Sequence, residues 1–255
     1  TLSVVVFVLV MIVIISEKVH RAVVAVGGAV LLIILGVLDI ETGVSYIDYN
    51  TIGLLIGMML FVAVVKHSGI FEYLAVKSAK IAKGDPWKMI VFIIITALLS
   101  ALLDNVTTVL LVGPMTFAIT KAMDLNPVPY IMTQILASNI GGTATLIGDP
   151  PNIMIGSATG LSFVDFLVND GLIVIVVMIA TIFAFKLIYK KKLIATPEAM
   201  KAVMDMDEKA LIKDKSLLTK SVVMIVLIVA GFSLHGVLHM ESSIIALTGA
   251  VIMII

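Results

Sequence analysis

Cysteine is absent from the 255 residues, which excludes a disulfide framework, a thiolate metal site and a cysteine nucleophile. Charge is scarce too. Asp, Glu, Lys and Arg make up 13% of the chain, against roughly 25% in a soluble domain. The charges cancel to a net of zero, so nothing points to a nucleic-acid partner. Neither Gly-x-Ser-x-Gly nor His-Glu-x-x-His occurs, and the four His lie near the ends of apolar runs. The chain is therefore expected not to be an enzyme. What it has in abundance is hydrophobic residues, 61%, with a mean hydropathy of +1.21. An all-α integral membrane protein is the fold class this implies, with the lipid bilayer as its first partner.

Uncharged runs cover 2–16, 22–38, 49–65, 89–103, 105–120, 125–148, 171–185 and 221–240, with a last run from 242 onward. A crossing helix needs about 20 apolar residues, so several runs are short. All 17 Lys and Arg fall in four groups: at 18–21, at 66–88, at 121 and at 186–220. The alternate connections carry only acids: Asp39, Glu41 and Asp48, then Asp165 and Asp170, then Glu241. Basic residues mark the cytoplasmic side, which orients a multi-pass protein of the cell membrane with its Lys/Arg-rich connections inside. The segment 1–187 then makes five net crossings, because the pair within 88–122 starts and ends on one side.

Val24–Ile34 aligns with Ile245–Ile255 at an offset of 221 residues. A repeat with an odd number of crossings is an inverted one. The expected organisation is a first repeat over 1–187, a cytoplasmic linker over 188–220 and the start of a second repeat over 221–255. The chain opens on Thr1 and closes inside Ile252–Ile255, so it is read as a stretch of a longer protein with the first repeat complete and the second truncated. In the linker, Thr196-Pro197-Glu198 predicts a helix start, with Met200, Val203, Met204 and Leu211 near helical spacing. Residues 69–83 read as a similar surface helix, Ile70, Phe71, Leu74 and Ile81 opposing Lys77, Lys80 and Lys83. His235 and His239 are spaced to share a ligand, but without acids beside them they read as interfacial.

Two segments break membrane rules. The first is Asp104-Asn105-Val106-Thr107-Thr108, between runs of 15 and 16 residues. As helices these reach only about 23 Å, which suits a re-entrant hairpin with its tip at membrane depth. Two short crossings with the tip outside remain the alternative. The second is Ser138-Asn139-Ile140-Gly141-Gly142-Thr143-Ala144-Thr145, continuing to Gly148-Asp149-Pro150-Pro151-Asn152. A helix running from Pro127 or Pro129 must break before Pro150. Such a break is tolerated only where backbone lines a cavity or binds something. Acids inside a membrane default to function, and helix N-termini favour anions while freed carbonyls favour cations. The candidate ion- or substrate-binding set is Asp104, Asn105, Thr107, Thr108, Ser138, Asn139, Gly141, Gly142, Thr143, Thr145, Asp149 and Asn152.

Together these two motifs resemble the arsenical-pump and melanosomal P-protein family of the ion transporter superfamily, which is related to sodium/proton antiporters and sodium-coupled dicarboxylate transporters. The resemblance covers nearly the whole chain. It implies an inverted-repeat secondary transporter, each repeat with a re-entrant hairpin and a broken helix, working as an elevator-like homodimer. It further implies efflux of an inorganic ion such as arsenite or antimonite, coupled to H+ or Na+, with no cofactor beyond that ion. Sodium/proton antiport, sodium-coupled dicarboxylate or citrate transport and a passive ion channel are the alternatives. Carried over from the dicarboxylate branch, Asn105, Thr107, Gly141 and Gly142 would line a sodium site. Asp104 stands where that branch has Ser, which disfavours a carboxylate beside it. A second hairpin tip and broken helix should follow in the longer chain near 325 and 360–373, the sum of 221 and the positions here; sequencing the whole gene tests this, and their absence there ends the repeat reading.

Overall fold

The computed structural model describes residues 2–83, 85, 90–189, 196–238 and 240–255. Lys88, the start of the expected hairpin at 88–89, the basic run at 190–192 and His239 lie outside the described residues. Among the described residues every regular element is helical, as the apolar composition requires where backbone has no water to bond. The helices form two compact units, residues 1–49 and 50–255.

The first unit holds α1 (Leu2–Ile15), α2 (Arg21–Ile34) and the short α3 (Ile40–Ser45). Gly28 lets the first two helices close together: a methyl group there would lie 2.5 Å from Val10 Cγ2. Asp39 starts α3 by accepting the Thr42 N–H at 2.8 Å, which satisfies one of the free donors of the first turn. The Thr42 N–H and hydroxyl together hold the Asp39 carboxyl below the usual carboxylate range.

The second unit runs through α4 (Tyr49–Lys66), α5 (Ile70–Ile81), α6 (Ile90–Leu102), α7 (Asn105–Ala122), α8 (Val128–Gly142) and α9 (Pro150–Thr159), then α10 (Phe163–Tyr189), α11 (Pro197–Met204), α12 (Lys215–Leu238) and α13 (Ser242–Ile254). Of the described helices, α4, α10 and most of α12 are long and apolar enough to cross a membrane. The predicted run at 171–185 extends in both directions to 27 residues. Asp165 is accommodated in the first turn of α10, where it accepts from the Ser162 hydroxyl and N–H.

Helix α13 lies against α4 at backbone distance. Small residues on both sides allow this: a methyl on Gly57 would stand 2.7 Å from the Ala246 carbonyl carbon and the Leu247 nitrogen. Asn50 Oδ1 caps the approach by accepting the Ser243 N–H at 3.0 Å. Around this contact Leu54, Phe61, Phe232, Ala246 and Ala250 are almost fully buried.

The segment 69–83 differs from expectation. Instead of a solvated or headgroup-facing helix, α5 is an internal strut with Phe71, Ala75, Val76, Ser78 and Ala79 buried, and Ile81 is 59% exposed. Alanines are the reason: Ala75 and Ala79 let the helix close onto Ile119 and Met123 of α7. The linker is strapped along α5 as well. Pro197 opens α11 as predicted, Val203 is fully buried in the same cluster, and Leu211 falls in a separate turn of 3-10 helix. Lys80 pairs with Glu208 and holds that carboxyl below its ordinary value, and the Lys213 N–H donates to the Ser68 carbonyl at 3.1 Å.

Two glycine substitutions separate close packing from helix propensity. Gly57→Ala is expected to cost about 1–3 kcal/mol through the forced separation of α4 and α13. Gly27→Ala, where nothing lies within 4 Å, should be neutral or stabilise by up to about 1 kcal/mol. Thermal unfolding of the two purified variants measures the contrast, and equal effects would contradict it.

Candidate functional site

Three helix ends meet in this part of the second unit. Helix α6 stops at Leu102 and α7 begins at Asn105, so Asp104 stands at the tip of the connection. Its carboxylate accepts the Thr107 N–H at 2.8 Å as the N-cap of α7. Asn105 Oδ1 takes the neighbouring Val106 N–H at 2.8 Å. Its Nδ2 donates to Asn139 Oδ1 at 2.9 Å, which joins the hairpin tip to the end of α8.

Helix α8 includes Gly141 and Gly142 and stops at Thr143, and α9 starts only at Pro150. The break is seven residues, 143–149, with glycine at both edges for steric reasons. A methyl on Gly141 would lie 2.2 Å from the Ala97 carbonyl oxygen, and one on Gly148 would lie 2.4 Å from the Gly142 oxygen. Helix α6 thus presses against the α8 end at backbone range, and hydroxyls fasten it there. Ser100 Oγ donates to the Ser138 carbonyl at 2.7 Å, and Thr145 Oγ1 donates to the Ala101 carbonyl at 2.5 Å.

The groups freed at the end of α8 find local partners: the Thr143 and Ala144 N–H groups donate to the Asn139 and Gly141 carbonyls, both at 3.1 Å. Asn152, on α9, donates from Nδ2 to the carbonyls of Gly142 (3.3 Å), Thr143 (3.3 Å) and Thr145 (2.9 Å). The N-terminus of α9 offers little to an anion: Pro150 and Pro151 have no N–H, and the next two, of Asn152 and Ile153, both turn back to the Asp149 carbonyl. Asp149 makes no side-chain cap bond.

The expected residues divide accordingly. Asp104, Asn105, Asn139, Gly141, Gly142, Thr145, Asp149 and Asn152 gather at the three helix ends. Ser138 and Thr143 spend their hydroxyls on Ile135 and Ile140 of their own helix. Thr107 contributes its N–H to the Asp104 cap. Thr108 is fully buried, and its hydroxyl has no partner. Ser100 escaped the sequence reading; its trace is one of two hydroxyls, with Thr96, in an apolar run, four residues before Asp104. Also unforeseen is Gln134, buried on α8, whose Nε2 donates to Thr116 Oγ1 of α7 at 2.6 Å. His235 bonds the Phe232 carbonyl of its own helix, and no cluster of metal-ligating acids and histidines exists among the described residues.

A bundle of apolar helices interrupted by a polar tip and a broken helix defines a polytopic membrane protein. The sequence comparisons name the family: residues 11–255 match the family described as citrate transporter, CitMHS, and the chain belongs to it. An uncharacterized transporter of Mycobacterium tuberculosis strain H37Rv is 40% identical over 99% of this chain and 60% of its own length. The 46 kDa membrane protein of Mycobacterium leprae is 37% identical over 100% of this chain and 60% of its own. The P protein of Homo sapiens is 37% identical over 69% of this chain and 22% of its own. The chain thus spans about 60% of the length of the first two relatives.

The cross-bonds between α6 and the α8 break are expected to matter more than hydroxyls that serve their own helix. Ser100→Ala and Thr145→Val should each destabilise by about 1 kcal/mol, whereas Thr143→Val should leave unfolding unchanged. Denaturation in detergent tests the ranking; a Thr143→Val effect as large as the others would contradict it.

Proposed function

We propose that the protein is a secondary active transporter of a small anion, and that the hairpin tip and the α8–α9 break form the first half of its ion site. The Asn105–Asn139 hydrogen bond carries this reading, because it ties together two backbone interruptions 34 residues apart. Asp104 and Asp149 give the site two acids and no base. A cation or proton belongs beside them, and a carboxylate in direct contact with Asp104 would be repelled. The coupling ion is therefore Na+ or H+, held by the acids with Asn105, Thr107 and the Gly141 end of α8, the Gly142 carbonyl being taken by Asn152. The family description favours citrate or a related carboxylate as the transported anion, bound away from Asp104; arsenite or antimonite efflux fits the same acidic tip.

On this reading 88–122 is a re-entrant hairpin, 1–187 is the first inverted repeat, 188–220 links the repeats on the cytoplasmic side and 221–255 opens the second. The pairs α1–α2 and α12–α13 support the repeat. Gly28 and Gly249, related by the 221-residue offset, each lack room for a methyl by the same margin, 2.5 Å from the side chain of the preceding helix. The working protein is then a homodimer in the cell membrane.

Asp104→Asn tests the site, since an asparagine oxygen can still cap Thr107 while the charge is lost. In proteoliposomes of the full-length protein, gradient-driven transport should be abolished with insertion intact. Unchanged transport discards the assignment, and flux that does not saturate and runs only down the permeant ion's own gradient points instead to a passive channel.

A further inference from the structure

The Asn152 side chain has an unusual task. Its single Nδ2 faces three carbonyl oxygens, those of Gly142, Thr143 and Thr145, at 3.3, 3.3 and 2.9 Å. An amide has two hydrogens to give, so the three acceptors outnumber its donors. Turning the amide around would aim a fourth oxygen at the other three, so the network itself fixes the orientation. The side chain is buried, with 9% of the residue exposed. Two of these carbonyls, those of Gly142 and Thr143, end α8, where the helix dipole places partial negative charge, and that of Thr145 lies two residues beyond. A cluster of inward carbonyls at a helix C-terminus suits a monovalent cation. Here a tethered, neutral amide fills that place. Its position is held by Pro150 and Pro151, whose rings fix φ in the first turn of α9.

We infer that Asn152 is a positioning residue that substitutes for a cation on the carbonyls of Gly142, Thr143 and Thr145, so that the break keeps its shape with no ion bound there. The inference differs from treating Asn152 as a ligand for the transported or coupling ion. It rests on the geometry of the break and does not depend on the transport reading.

The test reads stability and exchange in the full-length protein in detergent, at equal ionic strength in NaCl, KCl or choline chloride. Asn152→Ala should lower Tm in choline by about 5 °C, and Na+ or K+ should restore much of the loss by entering the emptied carbonyl cluster. Asn152→Asp, of the same size, should make Tm depend still more steeply on Na+ or K+. A loss equal in all three salts for both variants shows an ordinary structural hydrogen bond and overturns the inference. Should neither variant fold, hydrogen exchange of residues 143–149 in the wild-type protein decides. Protection equal in NaCl and choline is expected, and protection lost on removing Na+ overturns it. The transport outcome for Asp104→Asn bears on neither result.

Discussion

A backbone that leaves its helix inside an apolar bundle must find a partner for every group it frees, because lipid offers none. The architecture around residues 97–152 is organised by that demand. Helix α8 can end at Gly142 because Asn152 receives its last carbonyls. Helix α7 can begin at Asn105 because Asp104 and Asn105 accept its first N–H groups. Helix α9 starts with two prolines and so has two fewer donors to place. The close approach of α6 at Gly141 puts Ser100, Ala97 and Ala101 within reach of the break and shields it.

The consequence for chemistry is a site whose helix ends are already satisfied from within. Binding at the α7 or α8 ends therefore competes with a side chain, and the energy of binding is the difference between two sets of hydrogen bonds. The α9 end has its prolines and its own Asp149 carbonyl instead of free donors, which makes it a poor anion cradle. In the proposed ion site, charge selection would fall to Asp104 and Asp149.

Much of this was legible in the residues. Among the described residues every apolar run holds a helix, and the α6–α7 turn and the Gly141-to-Pro150 interruption fell where Gly, Pro and isolated acids placed them. What escaped was decided by contacts between distant segments. The lysines of α5 suggested a surface helix, and only the partner surface on α7 shows why Ala75 and Ala79 are wanted there. Ser100 and Gln134 belong to no motif, and no spacing rule marks a hydroxyl that bonds a carbonyl 38 residues away. The direction of the Asn152 amide was equally hidden, because no spacing rule tells which carbonyls an asparagine side chain will face.

The backbone contact between Gly57 and Ala246 also governs how the protein is made. At about 5–20 residues per second of synthesis, the partner of α4 leaves the ribosome roughly 10–40 s after α4 itself. During that interval the glycine groove of α4 stands open in the bilayer, able to accept lipid or the wrong helix. Contacts so distant along the chain form late. Biogenesis of this bundle therefore includes a waiting step, and the insertion machinery or the surrounding lipid must hold the seam until α13 arrives.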